Sequence, residues 1–274
     1  MTHYICLTCG TQYPESHEPP AHCLICEEER QYIGWKGQQW TTLEVLRANH
    51  HNTIKEEEPG LVGVGTEPSF AIGQRALLVQ APGGNVLWDC ITLVDDQTVE
   101  RVRALGGIKA IAISHPHYYS CMVEWSRAFG GAPIYIHEAD RRWVARPDDA
   151  IVFWQGETCS LGAGLTIVRC GGHFAGASVL HWAAGVGGRG ALLSGDTIQV
   201  VSDRNWVSFM YSYPNLIPLN APAVERIVQS VEPFAFERIY GAWWERIVAR
   251  DAKAAVRRSA ERYKRAISVD DSSR

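Results

Sequence analysis

No stretch of this chain is apolar for long enough to cross a bilayer, and no basic segment followed by an apolar one opens it. These absences set the expectation of a soluble, cytoplasmic protein with no membrane partner. Positive charge is also in short supply: 26 Lys and Arg stand against 30 Asp and Glu, a formal net charge of −4 with His neutral. A nucleic-acid surface needs clustered cations to displace counterions, and the acidic runs at 27–30 (EEER) and 56–58 (EEE) work against one. Nucleic acid is therefore not expected as a partner. Internal repeats and low-complexity blocks are lacking too. Hydrophobic residues make up 46% of the chain and charged residues 20%, so a proper core can be buried and disorder is expected only at the tail, VDDSSR (269–274).

Cysteine is present, but not in a disulfide pattern. Four of the eight sit in two Cys-x-x-Cys knuckles, Cys6/Cys9 and Cys23/Cys26, while Cys90, Cys121, Cys159 and Cys170 are scattered. Each knuckle lets two thiolates reach one ion from a tight turn, and two knuckles complete a tetrahedron. The surrounding segment is turn-rich, Pro-rich and poor in apolar residues, so a metal must hold it together. Residues 1–35 are thus expected to form a small unit like a zinc ribbon or rubredoxin, with structural zinc on Cys6, Cys9, Cys23 and Cys26. Zinc is preferred to iron because Glu27, not glycine, follows Cys26. His17 and His22 are read as solvated.

The remaining residues, 36–274, have a different texture. LVGVGT, RALLVQA and VLWDC are short apolar runs between Gly and Pro turns, which predict successive antiparallel strands. A helix is predicted over 94–105, then a strand over 108–114, a helix over 121–129, the strand PIYIH and a short helix over 139–144. Further strands are predicted at 151–154, 165–170, 178–183 and 190–194. A helix over 221–230, the strand FERIYGA and a long helix over 249–267 complete the pattern. Strands, then βα alternation, then strands again imply two mixed sheets sandwiched between helices.

Candidate metal ligands stand where strands end. His115 and His117 follow IAIS; in an extended segment residues i and i+2 point the same way, so both imidazoles can face one point. His173 follows a second strand in VRCGGHFAGASVLHW, and Asp196 a third in ALLSGDTIQV. Three imidazoles and a carboxylate suit a first-row ion such as zinc or iron.

In this order the pieces resemble the metallo-β-lactamase superfamily, an αββα sandwich that includes glyoxalase II and many hydrolases. The resemblance covers roughly 40–270. LWDC ends the early strands, HPHYYS stands for the family's His-x-His-x-Asp-His, GGHFAGASVLHW for its third motif and SGDT for its bridging aspartate. It implies that His115, His117 and His173 hold one metal with Asp196 beside it. The second metal's donors fall on Tyr119, Ser120 and Ala242, none of them a good ligand, so the resemblance implies a one-metal version of a two-metal site.

A single zinc on three His keeps a position for water and lowers its pKa toward roughly 7, giving hydroxide at neutral pH for attack on an ester, thioester or similar bond. Asp196 then serves as fourth ligand or proton acceptor, with Tyr118 or Tyr119 as a phenol donor in place of the second metal. Two other readings remain open. His115, His173 and Asp196 also match the iron centre of superfamily members that oxidise persulfides, and the fold also suits a non-catalytic metal-binding protein.

Trp206 and Trp243 are expected to form an apolar wall over the site, favouring a small-molecule substrate with an apolar part. GVGTEP (63–68) is read as a loop near the metal, His50 and His51 as the end of a helix, and His137 as a structural hydrogen-bonding residue. The ribbon is expected to brace the large domain, cover the site or make a homodimer contact.

Overall fold

The computed structural model describes residues 1–268; the tail VDDSSR lies outside the described residues. At the N-terminus β1 (Thr2–Cys6) and β2 (Gln12–Ser16) pair antiparallel, and β3 (Trp40–Thr41) joins the other edge of β1. The small sheet thus takes its last strand from beyond residue 35. Nor does the unit stand alone. Ile5, Ile25 and the four knuckle cysteines are buried in one cluster with Leu46, Ile91, Val123 and Trp125 of the large domain. A segment too poor in apolar residues for a core of its own has joined its neighbour's.

Helix α1 (Leu43–Asn49) follows, with the Thr42 hydroxyl accepting from the Val45 N–H at 3.3 Å. The chain then forms β4 (His51–Glu58), β5 (Leu61–Glu67), β6 (Arg75–Val79) and β7 (Val86–Trp88), an antiparallel run. Helix α2 (Asp96–Ala104), capped by the Asp95 carboxylate on Thr98 N–H at 2.8 Å, crosses to β8 (Ala110–Ala112). Helix α3 (Met122–Ala128) leads to β9 (Ile134–His137), a short 3₁₀ segment (Glu138–Trp143) and β10 (Ile151–Trp154). Strands β7 to β10 are parallel and complete a seven-stranded sheet.

The second sheet starts with β11 (Thr158–Gly162), β12 (Leu165–Arg169) and β13 (Ser178–Trp182). After a single turn, α4 (Gly185–Gly188), comes β14 (Ala191–Gly195). Two short hairpins follow: β15 (Gln199–Val200) with β16 (Val207–Ser208), then β17 (Met210–Ser212) with β18 (Ile217–Pro218). Helix α5 (Ala221–Val231), β19 (Arg238–Gly241), β20 (Ile247–Val248) and α6 (Ala252–Ile267) end the described chain. The sheet order is β11-β12-β13-β14-β19-β20, with β14 and β19 parallel.

Period-two alternation sorts the second sheet's faces. Leu180 and Leu193 point inward to meet Leu61, Leu77 and Trp88 of the first sheet. Val179 and Leu192 point outward, where Val224 and Ile227 of α5 and Val256 of α6 cover them. Each fully buried side chain of this kind contributes about 1.5–3 kcal/mol relative to exposure. The architecture is the expected αββα sandwich.

Two expectations need correction. His50 does end α1, but His51 opens β4, a strand whose charged sequence HNTIKEEE suits the sheet edge it occupies. GVGTEP is not a loop: Gly63 and Gly65 lie within β5, under the indole of Trp244. A Cβ on Gly63 would stand 2.7 Å from Trp244 Cζ3, and one on Gly65 would stand 2.7 Å from its Nε1. Gly63→Ala is accordingly expected to cost about 1–3 kcal/mol in urea unfolding through overpacking. A Gly63→Ala protein as stable as the wild type would show that the indole moves aside freely.

Candidate metal centres

The first centre is the cysteine cluster. Cys6 Sγ lies 3.5 Å from Cys26 Sγ, and Cys9 Sγ lies 3.6 Å from Cys23 Sγ. A disulfide would need about 2.05 Å. Tetrahedral zinc with Zn–S of about 2.3 Å needs sulfur–sulfur edges of about 3.8 Å, close to what is seen. All four sulfurs lie within 4.8 Å of one another and all four residues are buried. The Gln38 side-chain amide donates to Cys6 Sγ at 3.2 Å. His22 is exposed and pairs with Glu27, outside this set.

The second centre forms where β8 and β14 end. His115 is extended (φ −169°), and Pro116 then starts a 3₁₀ turn that carries His117. The turn, rather than a continued extended run, aims both imidazoles at one point. On the facing sheet Gly171 and Gly172, both with positive φ, bend the chain after β12 and present His173. Gly195 ends β14 with φ +53°, and a Cβ there would meet Ser114 Oγ at 2.7 Å. Only glycine lets the two strand ends approach this closely, which brings Asp196 to the histidines.

The result is compact. Ring centroids are separated by 5.1 Å (His115–His117), 4.8 Å (His115–His173) and 5.1 Å (His117–His173). His173 Nε2 lies 3.3 Å from His117 Nδ1, the edge expected of a tetrahedron with metal–nitrogen bonds of about 2.0–2.1 Å. Asp196 Oδ2 lies 3.8 Å from His115 Nε2, and one donor atom from each of the four residues lies within 4.8 Å of all the others. His115 Nε2 is buried without a hydrogen-bond partner, which is the state of a lone pair reserved for an ion. Burial lowers all three imidazoles, His173 to about 4, so they stand neutral as ligands must. Among the described residues these two groups are the ones whose geometry could hold a metal.

Outer contacts fix the ligands. Met210 O lies 3.1 Å from His173 Nδ1, which holds the proton there and turns Nε2 inward. Ser114 Oγ lies 2.8 Å from His115 Nδ1, and the Ser114 N–H donates to Asp89 Oδ1 at 2.8 Å. The Tyr118 hydroxyl donates to Asp196 Oδ1, and the Tyr213 hydroxyl to the Asp196 carbonyl at 2.8 Å. Burial raises Asp196 to about 7, against the opposing effect of Tyr118. Tyr119, by contrast, turns away: its hydroxyl reaches the Asp140 carbonyl at 3.4 Å.

Other residues fall elsewhere than their sequence positions suggested. The Ser120 carbonyl accepts Gln12 N–H from the ribbon at 3.1 Å, and the Ala242 carbonyl accepts Arg75 N–H at 2.7 Å. Trp206 stacks under Arg262 of α6 at 3.7 Å, and Trp243 Nε1 donates to Ile72 O at 3.1 Å. The aromatic rings that touch the imidazoles are instead Phe174, 4.9 Å from His117 and 5.2 Å from His173, together with Tyr118 and Tyr213, while Trp243 packs against the cluster that holds Phe174. His137 is structural, its Nε2 3.1 Å from Gly156 O. Sequence reasoning passed over Asp89 and Phe174. For Asp89 a signal existed, since it ends the LWDC strand as Asp196 ends another.

Two sheets of this order, with a three-histidine, one-aspartate cluster at their strand ends, define a protein of the metallo-β-lactamase fold. The structure superposes on VMB-1 with a TM-score of 0.60 at 14% identity, covering 80% of this chain and 99% of that one. FIM-1 from Pseudomonas aeruginosa, solved in a mono-zinc form, matches at 0.57 and 17% identity over 78% of this chain and 96% of its own. No family model matches the sequence. The chain belongs to one family with the uncharacterized protein YmaE of Bacillus subtilis (strain 168), with which it is 55% identical over 272 residues, 98% of each chain.

Proposed function

We propose that the protein is a hydrolase with one catalytic metal, acting on an ester, thioester or similar bond of a small molecule. The observation that carries this reading is the convergence of His115, His117, His173 and Asp196 donors within 4.8 Å, with His115 Nε2 left unpartnered. Those four residues would hold the ion; zinc there supplies Lewis acidity and lowers the pKa of water toward roughly 7.

The chain's own residues do the rest. Tyr118 engages Asp196 Oδ1 and so turns Oδ2 toward His115, where it can serve as a ligand or take a proton. Phe174 and Tyr213 exclude bulk water, which strengthens every charge interaction inside. Ser120 and Ala242 carry no side chain suited to a second metal and Tyr119 turns to Asp140, which supports the one-metal reading. Tyr118 rather than Tyr119 is then the phenol of the centre, its one O–H committed to orienting Asp196. The cysteine cluster is read as structural zinc, since four thiolates leave no open position for chemistry.

Assay of the metal-stripped and zinc-restored protein against esters and thioesters tests the reading: turnover should return with zinc. Failure of both forms on every substrate class would sink it. Tyr118→Phe should lower metal affinity or kcat by about 10–100-fold through loss of the hydrogen bond that orients Asp196. An unaltered kcat would remove Tyr118 from the chemistry.

A further inference from the structure

The ribbon reaches the histidine centre. Its 28–31 segment lies against the β17–β18 hairpin, where Ser212 Oγ donates to the Arg30 carbonyl at 2.9 Å. Asn215 Nδ2 donates to the Glu29 carbonyl at 2.9 Å and to that of Gln31 at 3.0 Å. This strap places the Arg30 guanidinium between two rings, 4.5 Å from the centroid of Phe174 and 4.1 Å from that of Tyr211. Phe174 packs in turn on His117 and His173, so one aromatic layer separates the cation from the imidazoles.

The arginine is held but not satisfied. Its side chain is 12% exposed, one terminal nitrogen pairs with Glu28, and its Nε is buried without a partner. A stacked guanidinium suits a planar carboxylate, which its terminal nitrogens can grip through two parallel hydrogen bonds once Glu28 leaves. Of the other acids nearby, Glu29 is engaged by the Tyr211 hydroxyl and Asp140 by Gly176 N–H at 2.8 Å. Glu28 alone pairs with the guanidinium, through one terminal nitrogen, while its other oxygen accepts the Arg30 backbone N–H at 2.8 Å.

We propose that Arg30 recognises a carboxylate on the substrate, so that the ribbon supplies a specificity-determining residue to the histidine centre. This rests on the hydrolase reading and narrows its substrates to carboxylate-bearing molecules. Glu28 is then a placeholder that neutralises Arg30 until the substrate carboxylate replaces it. A merely structural strap would gain nothing from losing Glu28; a recognition site would.

The test is calorimetric titration of the zinc-loaded full chain with succinate and with butyrate, which differ by one carboxylate. The wild type should bind succinate at least about tenfold more tightly than butyrate. Arg30→Gln should erase that preference with zinc content intact, and Glu28→Gln should raise succinate affinity severalfold. No preference in the wild type, a preference that survives Arg30→Gln, or equal weakening of both acids by both variants overturns the proposal. Where Arg30→Gln does not fold, Arg30→Lys decides: it keeps the charge without the fork, so a reduced preference supports recognition and an unchanged one contradicts it. Because binding is read directly, a protein that hydrolyses nothing yet loses its preference in Arg30→Gln would overturn the hydrolase reading alone.

Discussion

Cys9→Ser is expected to lower the melting temperature by about 10 °C and to release one zinc per chain. Structural zinc in four-thiolate sites contributes apparent binding energies of about 10–16 kcal/mol to small units that do not fold without it. Here the unit is also fused to the large domain. Cys9 is fully buried, and its cluster continues through Ile25 and Leu46 to Trp125. The turn after it is equally committed, because the Thr92 hydroxyl donates to the Gly10 carbonyl at 3.2 Å. Losing the ion should therefore cost several kcal/mol of global stability, and for a chain of this size each kcal/mol corresponds to roughly 2–4 °C. Cys159→Ser, a half-buried site outside both centres, is the control and should stay within about 0.5 kcal/mol of the wild type. Equal melting of Cys9→Ser and wild type would show that the ribbon is held by packing alone.

His173→Ala is expected to reduce hydrolysis by at least about 10³-fold and to free the ion of the second centre. The substitution removes one of three nitrogen donors and, with it, the 3.3 Å contact to His117 Nδ1. Loss of an outer contact to a ligating histidine already costs about 10–100-fold in metal affinity or activity, so loss of the ligand itself must cost more. The Met210 carbonyl also loses its partner, which adds about 1–3 kcal/mol of destabilisation. Zinc titration against a chromophoric chelator reads the affinity, and initial rates read the activity. Retained activity at full zinc affinity would mean that His173 is not a ligand.

Much of this site was legible before the structure, because its chemistry is concentrated in residue types with few other uses at strand ends. Two Cys-x-x-Cys knuckles can close only around an ion or a pair of strained bridges, and HPH followed by a distant GGH and GD points to one cluster. What stayed hidden depends on distances that sequence order does not encode. Trp206 lies ten residues past Asp196, yet the β15–β16 hairpin carries it to Arg258 and Arg262 of α6. Gly63 and Gly65 fit both the strand LVGVGT and the loop GVGTEP, and Trp244 packed over them shows why a strand carries two glycines there. β4 escaped notice because it ends in the charged run KEEE, which an edge strand tolerates. Arg30 sits in an acidic run that reads as a solvated surface; only the hairpin packed against it shows where its guanidinium goes.

The central claim is one structural ion and one catalytic ion per chain. Elemental mass spectrometry of the purified wild type tests it most directly, since it counts and identifies the metals together. Two zincs per chain is the expected result. A third ion would restore the second catalytic metal that Tyr119, Ser120 and Ala242 are held to exclude, and a single zinc would leave the histidine centre without its metal. Either count contradicts the account, and iron in place of the second zinc would move the chemistry from hydrolysis to oxidation.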